Sequence, residues 1–153
     1  PDFAAPYAGA ARCYSMRKLL NWMTEPAKEI AEGMKLVETS IRVAPDDAWV
    51  LGLAGFQTYF LGNDLDGGLE LLQRARALNP NLAILWGGIG FLEICLGNLD
   101  VGIEQIEHGL RRLRLRLRAR KTLDRSNSTK VISLIAEGAQ AAPFCIFVAS
   151  IAP

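Results

Sequence analysis

The chain has 153 residues, half of them hydrophobic and 22% charged, with a formal net charge of +1. That length suffices for one compact domain with its own core, and that balance excludes an intrinsically disordered chain. The small net charge conceals a division: residues 1–107 carry 8 Lys/Arg and 14 Asp/Glu, whereas residues 108–153 carry 9 and 2.

In chain order, the first segment, PDFAAPYAGAARCY, predicts a helix rich in small residues, with Tyr7, Ala10, Ala11 and Tyr14 at helical spacing. About ten residues around RKLLNWMTEP separate it from a second helix that carries Gly33, Val37 and Ser40 and ends before Pro45. A third holds Leu51, Ala54, Gly55 and Thr58, turns at Gly62, and leads to a fourth with Gly68, Leu72 and Ala75 that ends before Pro80. A fifth holds Trp86, Ile89, Gly90 and Glu93, turns at Gly97, and leads to a sixth with Gly102 and Ile106. Each proline stops its helix because it lacks an N–H and restricts its predecessor.

Pro45 and Pro80 lie 35 residues apart, and Gly33, Gly68 and Gly102 follow at 35 and 34. YFLGNDLDGGLELL and EICLGNLDVGIEQI are near copies, the first with one extra residue at the turn. Such a period marks stacked helix pairs, none of which buries its apolar face alone. Small residues let two helices approach, and larger ones such as Leu51, Trp86, Leu72 and Ile106 fill the space between. Pro1 precedes Tyr7 by six residues, as Pro80 precedes Trp86, so it is expected to close a preceding repeat of a longer protein.

The pattern resembles the tetratricopeptide repeat three times, most clearly in WGGIGFLEICLGNLDVGIEQI. The resemblance implies an all-α, right-handed solenoid of about three helix pairs over residues 1–110, with repeats at about 1–45, 46–80 and 81–113, followed by a tail over 111–153. The first helix of each pair then lines a groove. In this register Trp49, Phe56, Tyr59 and Phe60 face it from one repeat, and Ile84, Phe91, Ile94 and Cys95 from the next. That groove suits an amphipathic helix or apolar peptide, or a neighbouring segment of the same protein. A terminal-carboxylate clamp would need lysines and arginines at these apolar positions and is not expected.

Beyond the general repeat, the wording from PDFAAPYAGAARCY through EIAEGMKLVETSI to GNLDVGIEQIEHGL is similar to the carboxy-terminal repeat region of bacterial class III adenylate/guanylate cyclases. The same array follows winged-helix DNA-binding domains in some bacterial regulators. The resemblance implies a non-catalytic interaction or scaffolding module of a signalling protein, with an effector domain upstream. The alternative is a fragment of a cyclase whose catalytic domain lies outside this stretch. No catalytic residue, cofactor or metal ligand is assigned to this chain.

The remaining features have plain readings. GGIG at 87–90 lacks the strand and third glycine of a dinucleotide fingerprint, so helix packing explains it. His108, the only histidine, is expected on the surface near a helix end. Glu25, Glu29 and Glu32 share a helix face and are expected to be solvated beside Lys28 and Lys35. Cys13, Cys95 and Cys145 fit neither a zinc motif nor a disulfide framework and are expected to be buried thiols in a reducing cytoplasm. No secretory leader is expected from the opening residues, and PFCIFVASIAP is short of the roughly 20 helical residues that span a bilayer.

The sequence changes character after Leu110. Eight Lys/Arg and one Asp fall between Arg111 and Arg125, in RRLRLRLRARKTLDR. A shift of reading frame would account for both the charge reversal and the lost period; the alternative is a genuine basic tail. Leu110, Leu113 and Leu117 permit the preceding helix to continue, and the Leu/Arg alternation permits a strand. Such a run could bind nucleic acid through phosphate neutralisation, but no recognition module accompanies it, so nucleic acid is disfavoured as a partner. KVISLIAEGAQAA could form a short last helix, and an uncapped solenoid end leaves room for self-association.

Overall fold

The computed structural model describes residues 3–119. It is all-α: six helices run as α1 (Ala5–Leu19), α2 (Pro26–Val43), α3 (Ala48–Gly62), α4 (Leu65–Leu78), α5 (Ala83–Cys95) and α6 (Leu99–Ala119), with no strand among the described residues. Residues up to Gly109 form one compact unit, and a second begins at Leu110 within α6. The expected short helix in KVISLIAEGAQAA lies outside the described residues.

Local signals set the helix ends. Pro26 opens α2, and Pro45 and Pro80 follow the ends of α2 and α4. The Asp47 carboxylate caps α3 by accepting from the N–H groups of Trp49 (2.8 Å) and Val50 (3.1 Å). Asp64 does the same for α4 through Gly67 N–H at 2.9 Å. The two short turns of the near-copy segments reverse the chain through left-handed residues, Asn63 at φ 56° and Gly97 at φ 91°. Asparagine and glycine are the residues that enter that region at least cost.

α3 is the centre of the compact unit. It packs on α1, α2 and α4, and ten of its residues are buried, so it is apolar nearly all round. Glycines set its closest approaches. A Cβ at Gly55 would stand 2.8 Å from the Gly68 carbonyl oxygen of α4, and one at Gly68 would stand 2.8 Å from the Gly55 carbonyl oxygen. The same reciprocal contact recurs between α5 and α6 at Gly90 and Gly102, at 2.5 and 2.6 Å. Successive pairs interlock through large side chains seated on glycine: Phe56 on Gly88, Leu85 on Gly52 and Leu61 on Gly33.

Leu51, Leu72 and Leu92 are fully buried. Each contributes about 1.5–3 kcal/mol of apolar transfer free energy. Buried polar groups find partners: Thr58 donates to the Ala54 carbonyl at 3.0 Å and Ser40 to the Val37 carbonyl at 2.7 Å within their own helices, and Ser15 donates to Gln57 across α1 and α3. No helix of the described residues is long and apolar enough to cross a membrane.

Candidate partner-binding face

α3 and α5 each open a helix pair. Their later turns bring three aromatic rings together. Tyr59 and Phe60 lie 4.9 Å apart between centroids and tilted; Phe91 meets Tyr59 edge-on at 5.8 Å and stacks with Phe60 at 6.2 Å. These separations and angles are those favoured by aromatic quadrupoles. All three residues are half-buried, so the cluster presents ring surface while anchored from behind. The anchor is visible at Tyr59, whose Cβ lies 3.3 Å from the position a Cβ would take on Gly68. The Tyr59 hydroxyl reaches the Cys95 Sγ at 3.9 Å, closing the cluster toward the end of α5.

The other residues expected in the groove separate from this cluster. Trp49 is exposed at the start of α3, and Ile84 is half-buried at the start of α5. Ile94 is half-buried and packs toward Gly102 of α6. Phe56 does not line an open face. It is 4% exposed, because Gly88 offers a seat that its ring fills. Sequence register places Phe56 beside Phe60, but only the neighbouring glycine decides that one turns inward.

A second cleft, of about 540 Å³, lies between α1 and α2, lined among others by Cys13, Tyr14, Arg17, Glu29 and Glu32. Its centre corrects the expected solvated acidic face. Glu29 is buried. It accepts from Arg17 Nε at 2.6 Å, from Thr24 N–H at 2.8 Å and from Glu25 N–H at 3.2 Å. The Arg17 hydrogen bond, with those two backbone donors, holds the Glu29 carboxyl at about 2, well below its ordinary value. Tyr14 donates to Glu32 at 2.9 Å, which raises the phenol above its usual value. Only Glu25 keeps the expected neighbour, Lys28, at 3.7 Å. The clamp joins residues 12 apart across a turn, so spacing within one helix could not reveal it.

Two further expectations change. His108 is not near a helix end, since α6 continues to Ala119; it is half-buried and stacks on Trp86 at 4.1 Å, while the Arg76 guanidinium lies 4.9 Å from the Trp86 ring centroid. Cys13 and Cys95 are exposed, not buried, and both are free; Cys145 lies outside the described residues. Among the described residues, no group of three or more His, Cys, Asp or Glu is placed to hold a metal ion. Compared with protein-family models and with curated proteins, the chain matches none.

Proposed function

We propose that this chain is a non-catalytic protein–protein interaction module, a solenoid of tetratricopeptide-like helix pairs whose aromatic face takes an apolar or aromatic peptide segment. The observation that carries this reading is the half-buried cluster of Tyr59, Phe60 and Phe91, which joins the first helices of two successive pairs. Preorganised aromatic rings bury much area on binding at small cost in side-chain entropy. The sequence resemblance adds the setting: the carboxy-terminal regulatory part of a bacterial signalling protein, its groove occupied by a partner or by an upstream effector such as a nucleotide cyclase domain.

The test is a selection of displayed peptides on the full chain, followed by titration of one selected peptide. Phe60→Ala with Phe91→Ala should weaken binding by about tenfold or more, and Trp49→Ala at the exposed start of α3 by less. Thermal melts verify that each variant is folded. Peptides that bind the folded double variant as tightly as the parent would remove the aromatic face from the function.

A further inference from the structure

We propose that copies of the chain stack head to tail: the apolar stripe at the start of α6 in one copy receives the outer side of α1 of the next. Each second helix of a pair carries that stripe at steps of four and three. It is Ile30, Met34 and Val37 in α2, Leu65, Leu69 and Leu72 in α4, and Leu99, Ile103 and Ile106 in α6. In the first two, the stripe meets the first helix of the following pair. α2 packs on α3, with Met34 Cε 3.4 Å from the place of a Cβ on Gly62 and Val37 in one core cluster with Ala54. α4 packs on α5, with Leu72 Cδ1 3.3 Å from the place of a Cβ on Gly88. Val37 and Leu72 are buried, and Ile30, Met34, Leu65 and Leu69 are half-buried. The third stripe differs: Leu99 is 56% and Ile103 45% exposed, and Ile106 is half-buried. All three belong to the compact unit that ends at Gly109.

The two internal contacts define what fits such a stripe: the first helix of a pair, with a small residue where a large apolar side chain arrives, as at Gly62 and Gly88. The chain carries a helix of that kind. α1 opens its pair and buries Ala8, Ala11 and Ser15. Ala5, Gly9, Arg12 and Met16, again at steps of four and three, form a different, half-buried side. Two of the four are small, and a Cβ at Gly9 would meet none of the described residues within 4 Å. The Arg12 stem can lie along apolar surface while its head stays in water. A two-fold pairing of stripe with stripe would set large side chains against large ones, without the small residues that both internal contacts use. The head-to-tail contact continues the interface between successive pairs, and each copy keeps one end of each kind, so growth does not stop at two. This inference goes beyond the peptide-binding reading and uses none of Tyr59, Phe60 and Phe91.

The test is sedimentation equilibrium of the full chain over a series of concentrations. The parent's mean mass should rise with concentration past that of a dimer. Two variants each block one end: Leu99→Lys with Ile103→Lys at the stripe, and Gly9→Lys on α1. Each alone should associate at least about tenfold more weakly than the parent. Their equimolar mixture should form a dimer and nothing larger, because it holds one intact end of each kind per pair. Circular dichroism and thermal melts verify that the variants are folded. A parent that stays monomeric up to about 1 mM, or that stops at the dimer, overturns the proposal whatever the variants do. Folded variants that associate alone as the parent does, or a mixture that stays monomeric, overturn the contact between α6 and α1.

Discussion

Where α3 crosses α4, both sides of the crossing are glycine, and Gly55 and Gly68 bring backbone against backbone. Where α1 crosses α2, only one side is. A Cβ at Gly33 would meet Tyr14 Cβ at 3.0 Å and the Leu61 methyl at 2.7 Å, so side chains already occupy that crossing. The first pair also carries the longer connection, from Leu20 to Glu25, and closes it with the Arg17–Glu29 clamp. The second pair turns through Asn63 and Asp64 alone. One pair is thus joined by backbone proximity and the other by side-chain chemistry. The two should fail under different perturbations.

The largest effect is expected at the backbone crossing. Gly55→Val adds branched bulk where the nearest atoms are the Gly68 carbonyl oxygen at 2.8 Å, which cannot move without moving α4, and the buried Leu72 Cγ at 3.0 Å. Overpacking of this kind costs about 3 kcal/mol, readable by urea denaturation. Gly33→Ala should cost less, about 1 kcal/mol, because the flexible end of Leu61 can yield and the helix gains propensity. Equal losses at the two sites would erase the distinction between the pairs.

The clamp predicts a pH signature in the first pair. Glu29 sits at about 2 when folded against an ordinary 4.5. Its contribution is therefore fully present above pH 4.5 and is lost as pH falls from there toward 2. Glu29→Gln should lower stability at neutral pH and flatten the acid limb in that window, measured as the denaturation midpoint against pH. An acid limb that matches the parent's would show that the clamp adds nothing to folding.

Much of this architecture could be read from the sequence because its determinants are local or periodic. Pro45 and Pro80 mark the ends of α2 and α4, and the 35-residue glycine spacing marks the crossings at Gly33, Gly68 and Gly102. Leu110, Leu113 and Leu117 allowed the helix to extend into the Leu/Arg run, whose alternation also permitted a strand that would be marginal alone, and the described part is helical as far as Ala119. What stayed hidden depended on pairing at a distance. Phe56 turns inward because of Gly88, Glu29 is buried because of Arg17, and His108 is half-buried because it stacks on Trp86. In the aromatic face, register brought Tyr59, Phe60 and Phe91 to one side, but it could not tell a ring that faces outward from one seated on a neighbouring helix.

The smallest effect distinguishes two glycines that share a register. Gly9 follows Tyr7 by two residues as Gly88 follows Trp86, and both lie inside helices. At Gly88 a Cβ would meet the Phe56 ring, with Cε1 at 2.9 Å, and Leu72 Cδ1 at 3.3 Å. At Gly9 none of the described residues comes within 4 Å. Helix propensity favours alanine by about 1 kcal/mol at both positions. Gly9→Ala should gain most of that, whereas Gly88→Ala must first displace a buried ring and should show a net loss. Opposite signs in paired denaturation curves would show that glycine at Gly88 serves packing, while the one at Gly9 serves no contact among the described residues. A loss at Gly9 would mean that something in solution, such as a second copy or a partner, rests on that face of α1.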